Sequence, residues 1–169
     1  MIELVSYEDF RAGLDCYSQE DYSRSVEFFL NFARGQVERR RNILSYSFWS
    51  LWNNLANGFT KLGFYAKAET CYTSAIKCFQ GHKPMVDTGV VFFNYACMLF
   101  FYKGEADDMY KAYFLFNLAD RVGFKNIYAK KINEQFVKNA KVYEESLSFF
   151  YKSRLFRELK EYSQLRNVV

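Results

Sequence analysis

The stretch from Trp52 to Gly81 constrains the fold most, because large and small side chains recur in it with the spacing of a helix. Four residues at positions i, i+3, i+4 and i+7 fall on one side of a first helix, namely Trp52, Leu55, Ala56 and Phe59. The same spacing returns after Gly63, in Tyr65, Ala68, Tyr72 and Ala75. Small residues let two backbones approach closely, and aromatic residues fill the space where they diverge. The pattern predicts two antiparallel helices joined by a turn at Gly63.

This order of residues resembles the consensus of the tetratricopeptide repeat, which runs Trp, Leu, Gly, Tyr, then Ala, Phe or Tyr, Ala, and often Pro. Ala56 stands where Gly is usual, and Gln80 stands where the final Pro is expected. The family tolerates both departures. One helix pair cannot bury its own apolar face, so the resemblance implies neighbouring repeats.

Two flanking stretches match the same positions less closely. The upstream matches are Gly13, Cys16, Tyr22, Ser25, Phe29 and Phe32, where Ser25 and Phe32 replace the usual Ala and Phe32 is expected to widen the helix pair. The downstream matches are Phe92, Tyr95, Ala96, Leu99, Ala112, Phe116 and Ala119. There the turn from Lys103 to Asp108 is about four residues longer than the family's turn. The resemblance implies repeats at about residues 6–39, 49–82 and 89–123, with Pro84 at a junction between them.

Residues 126–169 contain neither Gly nor Pro, and their apolar residues follow in steps of mostly three or four. We expect one long amphipathic helix here, or two helices with a break near Ser146, that caps the last apolar face of the array. The second half is more aromatic than a cap requires. It is therefore also a candidate for a homodimer contact, for partner binding or for folding into the groove.

The composition supports an all-α protein in which the helix pairs form a superhelix. Half of the residues are apolar and 21% are aromatic, which argues against a disordered chain. Nothing alternates with period two for long enough to predict a strand, and the length fits one domain. The first ten residues lack a basic segment followed by an apolar core, and the most apolar window, Val90 to Tyr102, is shorter than the roughly 20 residues of a membrane span. We expect a cytoplasmic protein with no membrane span.

Candidate catalytic and metal-binding residues are few. The four cysteines, Cys16, Cys71, Cys78 and Cys97, form no Cys-x-x-Cys pair, and His82 is the single histidine. This pattern favours buried free thiols over a zinc site. A Cys–His nucleophile is disfavoured because three of the cysteines fall at positions that the repeat uses for packing or for the groove. With no phosphate loop, nucleophile elbow or dinucleotide motif, we expect neither an enzyme nor a cofactor.

The net charge of +4, from 23 basic and 19 acidic residues, is a weak bias. Basic clusters occur at Arg39–Arg41 and Lys130–Lys131. They make a helical nucleic-acid-binding protein an alternative, because neutralised phosphates release counterions. Acidic residues interleave with the basic residues near the C-terminus, which favours solvated helix faces instead.

The resemblance also implies a binding groove. In the family, the first helix of each pair lines a concave face that holds peptides. The matching positions are Tyr7, Phe10, Leu14 and Tyr17 in the first repeat, Ser50, Asn53, Asn57 and Thr60 in the second, and Val90, Phe93, Cys97 and Phe100 in the third. Asn53 and Asn57 would form a polar floor for the backbone of an extended peptide, between apolar walls. Lys and Arg are missing from these positions, which predicts no clamp for an acidic C-terminus. The alternative is that the aromatic residues pack against one another or under the C-terminal helix.

These observations favour a protein–protein interaction module, an adaptor or chaperone-like protein that binds a peptide segment of its partner. Length, repeat number and a helical end are similar to the bacterial type III secretion chaperones that hold translocator proteins. A regulatory subunit of an enzyme is a further alternative, because a fold of this kind does not by itself name a partner.

Overall fold

The computed structural model describes residues 2–83 and 85–126, without the side chains of residues 2–6 and 106. Pro84 and residues 127–169, with the expected cap and homodimer contact, lie outside the described residues. All regular structure within the described ranges is helical, as the sequence predicts. The helices are α1 (Ile2–Ser18), α2 (Tyr22–Glu38), α3 (Trp49–Lys61), α4 (Tyr65–Lys77), α5 (Val86–Cys97) and α6 (Ala106–Arg121). A 3₁₀ turn, Tyr46–Phe48, precedes α3, and a π-helical segment, Met98–Lys103, continues α5.

The helices pack in consecutive pairs, α1 with α2, α3 with α4, and α5 with α6. The chain divides into two compact units, Met1–Lys83 and Pro84–Val169, and the single domain stays a prediction. In the first unit α2 also packs against α3, and α1 touches α3. Within this unit, the two first helices of the predicted pairs are therefore neighbours, as a helical repeat requires.

The α3–α4 pair is built on the small and large residues that the sequence pattern identifies. Leu55, Ala56, Ala68 and Ala75 are completely buried, and Tyr72 almost so. Burial of a Leu-sized side chain stabilises a fold by roughly 1.5–3 kcal/mol. These buried residues form the seam between α3 and α4, and they contribute strongly to the stability of the pair. Gly58 continues the seam toward α2, since a Cβ atom there would lie 2.6 Å from Cγ2 of Val26.

The α1–α2 pair explains one departure from the repeat pattern. The buried hydroxyl of Ser25 donates a hydrogen bond of 2.8 Å to the carbonyl of Gly13 on α1, so a polar residue is satisfied where Ala is usual. Phe32 fills space between elements, with its ring centroid 5.3 Å from that of Phe10 and 6.4 Å from that of Phe48.

The connection between α5 and α6 differs from the expected long turn. Only Gly104 and Glu105 separate the π-helical segment from α6, which begins at Ala106. A π-helical turn holds more residues than an α-helical one, and Gly104 ends the segment with a left-handed φ of 69°. Of the residues predicted as a turn, Lys103, Ala106, Asp107 and Asp108 therefore belong to helices, and only Gly104 and Glu105 do not. Lys103 lies 3.1 Å from Oδ2 of the buried Asp108, linking the segment to the first turn of α6.

Candidate functional site

The four predicted groove residues of α1 form a stripe that is at least partly exposed. Tyr7 and Leu14, two turns apart, expose 68% and 42% of their surface. Phe10 and Tyr17 lie between and beyond them and are half-buried. The Phe10 ring packs 5.4 Å from that of Phe29, and the Tyr17 ring lies 5.2 Å from a residue of α2. Phe10 and Tyr17 thus pack against α2, while Tyr7 and Leu14 are exposed to solvent.

The predicted polar floor on α3 is more buried than a peptide-binding surface requires. Asn53 and Thr60 each expose only 5%, and the Thr60 hydroxyl donates to the carbonyl of Ala56 at 2.8 Å. Asn57 is half-buried, and its Oδ1 accepts a 2.7 Å hydrogen bond from the hydroxyl of Tyr72. Of these three side chains, Asn57 is the one with substantial access to solvent. Its oxygen is held toward α4, which directs its amide nitrogen away from Tyr72.

Two predicted groove residues of the second unit, Phe93 and Phe100, lie against other aromatic rings. Phe93, Cys97 and Phe100 are all half-buried. The Phe93 ring centroid lies 5.6 Å from that of Phe116 and 5.2 Å from that of Phe124. Phe100 lies 6.4 Å from Phe116, so α6 covers part of both rings. A peptide-binding role for these residues stays a prediction.

All four cysteines are free, and two of them differ in burial from the expectation. Cys71 and Cys78 are buried, whereas Cys16 and Cys97 are half-buried. Burial raises the pKa of Cys71 and of Cys97 to about 12. Burial also raises the pKa of Cys78 to about 11, against a smaller lowering by a backbone hydrogen bond. These three thiols stay protonated near neutral pH, the opposite of what an activated nucleophile needs.

A cleft that sequence patterns did not identify opens between the α2–α3 loop and the C-terminal end of α4. We call it the loop cleft; its volume is about 410 Å³ and it is lined by Asn42, Leu44, Ser45, Tyr46, Lys77, Cys78, Gln80 and His82. The Tyr46 ring lies 4.9 Å from the His82 ring and 5.7 Å from the Phe79 ring. Cys78 and His82 thus share a cleft, although the thiol of Cys78 lies within 3.8 Å of the Ile43 carbonyl and has a raised pKa.

The loop cleft gave no signal in the sequence because its residues come from an irregular loop and a helix end, where side chains follow no fixed period. The basic run is part of the same loop. Arg40 and Arg41, which immediately precede Asn42, are exposed, whereas Arg39 is half-buried. The second basic cluster, Lys130–Lys131, lies outside the described residues.

In residues 2–83 and 85–126 no group of three or more His, Cys, Asp or Glu side chains is arranged to hold a metal ion. Across the same ranges, no helix combines the length and the apolar character needed to cross a bilayer.

Comparison with known proteins found no matching family model, no matching curated protein and no matching solved structure. The tetratricopeptide resemblance therefore stays a prediction from the residue pattern.

Proposed function

We propose that this chain is a protein-interaction module of the tetratricopeptide kind, which holds an extended peptide segment of a partner on the face formed by α1 and α3. The observation that carries the proposal is the stripe of Tyr7, Phe10, Leu14 and Tyr17. Its members are spaced by three or four residues, so they share one side of α1. All four keep some exposure. A contiguous row of apolar side chains open to solvent is typical of a protein-binding surface.

The neighbouring helix adds a polar group to this face. Because α1 touches α3, we expect the stripe to lie beside the residues that the repeat pattern assigns to the inner side of α3. Asn57 is partly exposed there, and Tyr72 occupies its oxygen. The amide nitrogen remains as a donor suited to a peptide carbonyl. A ligand with apolar anchors on alternate positions would seat them on the stripe and offer its backbone to Asn57.

The charge of the face narrows the ligand class. None of the predicted groove positions on α1 and α3 is Lys or Arg. A terminal carboxylate would find no cationic partner at these positions, so apolar side chains of an internal segment are the preferred anchors. In this respect the proposed module differs from the cochaperones of the family, which hold an acidic C-terminus.

A cytoplasmic adaptor or chaperone-like role fits this face better than catalysis. The four free cysteines suit a reducing compartment. The three thiols with raised pKa values do not provide a nucleophile at neutral pH. Binding of an apolar segment is what the exposed stripe offers chemically.

Selection of random peptides displayed on phage tests the proposal. The full chain should enrich peptides with two or more apolar residues spaced along an extended segment. The double variant Tyr7→Ser, Leu14→Ser should bind the enriched peptides at least about tenfold more weakly, because each side chain contributes roughly 1.5–3 kcal/mol when it is buried. Fluorescence polarisation of labelled peptides measures this change. Asn57→Asp keeps the acceptor for Tyr72 but loses the donor, and should weaken the same peptides severalfold.

The matched control lies on α2. Leu30 and Val37 are also exposed apolar residues seven positions apart, exposing 39% and 54% of their surface. The double variant Leu30→Ser, Val37→Ser should keep the affinity of the wild-type chain. An equal loss in both double variants, or enrichment of peptides without apolar residues, would show that the α1 stripe is not the binding face.

A further inference from the structure

The polar lining of the loop cleft consists of groups that donate hydrogen bonds, with no carboxylate among them. Lys77 and His82 supply nitrogen donors, and the amides of Asn42 and Gln80 supply more. The Asn42 oxygen is already used, since it accepts from the backbone N–H of Leu44 at 3.0 Å. This leaves the amide nitrogen of Asn42 as its available group. A lining of this kind is suited to an anion.

Basic residues line the loop cleft or lie next to its lining residues in the sequence. Lys77 is exposed and makes no ion pair with any residue that the structure describes. Arg41 directly precedes Asn42, and Lys83 directly follows His82. Charge-assisted hydrogen bonds from such cations to an oxyanion are stronger than neutral ones.

One feature of the cleft opposes an anion, and the structure reduces its effect. The C-terminal end of a helix carries a partial negative charge on its unpaired carbonyls. At the end of α4 the carbonyls are paired: Cys78 N–H donates to Ser74 and Ala75, and the next two N–H groups donate to Ile76 and Lys77. Carbonyls that already accept a hydrogen bond repel a bound anion less than free ones.

The walls of the loop cleft are held in place without a ligand. The Ile43 carbonyl accepts a 2.7 Å hydrogen bond from Nε1 of Trp52, and the Cys78 thiol approaches the same oxygen at 3.8 Å. On the other side, Tyr46 packs against both Phe79 and His82. A preformed site loses little free energy to ordering when a ligand binds.

We propose that the loop cleft binds a phosphate monoester. A phosphate group presents three terminal oxygens, whereas a carboxylate presents two, so phosphate makes fuller use of donors that come from both walls. The volume of about 410 Å³ falls in the range of small-molecule sites and leaves room for the group that carries the phosphate. That group is either a small metabolite or a phosphorylated serine or threonine in another chain. This site is independent of the α1 stripe.

Titration of the full ¹⁵N-labelled chain, followed by NMR at constant ionic strength, tests the proposal. O-phosphoserine should shift the amide signals of residues 42–46 and 77–82 in a saturable manner, and serine should not.

Lys77→Gln should weaken the affinity for O-phosphoserine about tenfold, since it removes a charge-assisted contact. Gln80→Glu places a carboxylate in the lining and should abolish saturable binding. A blocked phosphoserine, acetylated and amidated, separates the two sources: tighter binding than O-phosphoserine indicates a phosphorylated protein, and equal binding indicates a metabolite.

The matched control is Lys67→Gln, near the other end of α4. Lys67 is exposed and its Nζ lies 5.0 Å from the centroid of the Phe64 ring, far along the helix from the cleft. Its replacement removes the same charge from the same helix and should leave the affinity unchanged. Equal weakening by Lys67→Gln and Lys77→Gln would reduce the effect to general attraction by a basic protein and overturn the site. Shifts confined to residues outside the cleft, or equal shifts with serine, would overturn it too.

Discussion

The turn between α1 and α2 holds a side chain in a backbone conformation that favours glycine. Glu20 has a φ of 62°, and the N–H groups of Glu20 and Asp21 close the end of α1 on the carbonyls of Tyr17 and Cys16. Glu20→Gly should raise the free energy of unfolding by about 0.5–1 kcal/mol, because the left-handed conformation costs glycine nothing sterically and this gain exceeds the added freedom of the unfolded chain. Urea denaturation followed by circular dichroism measures the change.

Gly63 and Gln19 show that the expected gain is specific to the backbone conformation of Glu20. The end of α3 is closed by the same pair of hydrogen bonds, with Gly63 at φ 78° in the position that Glu20 occupies after α1. The neighbour Gln19 does not have a positive φ. Gln19→Gly should therefore lower the stability, since glycine there gains only unfolded-state freedom. A gain from Gln19→Gly similar to that from Glu20→Gly would contradict the explanation.

At the scale of residues, the sequence predicts which side chains face inward but not what they meet. The spacing of Leu55, Ala68 and Ala75 was sufficient to place them in the core. The bond from Ser25 to the Gly13 carbonyl depends on which backbone group lies opposite, information that spacing does not contain. The same limit applies to Asn53, whose place on the inner side of the helix gave no sign that neighbouring groups cover it.

At the scale of elements, the ion pair between Lys103 and Asp108 fixes the end of the π-helical segment against α6. The two partners differ in access to water, with side-chain exposures of 27% and 3%. Lys103→Met should cost about 3–5 kcal/mol of unfolding free energy, because it leaves a buried carboxylate without this cation. Asp108→Asn should cost less, about 1–2 kcal/mol, since Lys103 can turn toward solvent and an amide is cheaper to bury than a charge.

Thermal and urea unfolding of both single variants and of the double variant measure this asymmetry as a mutant cycle. The double variant should be more stable than Lys103→Met alone, because it no longer buries an isolated charge. Equal costs for the two single variants would mean that the pair is not desolvated in the way the structure indicates.

The helix pairs could be predicted from the sequence because 3.6-residue periodicity is a strong local signal. Each of the three predicted pairs contains two helices that pack together, and the turns of the first two pairs fall near Glu20 and Gly63. The π-helical segment Met98–Lys103 could not be predicted, since the extra residue per turn leaves no mark in composition. The loop cleft was missed for the related reason that residues 39–45 form no regular element.

At the scale of the whole molecule, the division at Lys83 leads us to expect that the first unit can fold on its own. The stability of a helical repeat array is roughly a sum of terms within repeats and terms between neighbours. The first unit contains both kinds, because α2 packs on α3 through the close approach of Val26 to Gly58.

A fragment of residues 1–83 should therefore be helical and unfold in one cooperative urea transition. A fragment of residues 1–48 keeps α1 and α2 but lacks the neighbouring pair, and should show no such transition because its apolar α2 face is left exposed. Gradual, non-cooperative loss of helix in the longer fragment would mean that the terms between neighbours within this unit are too weak to hold two pairs together.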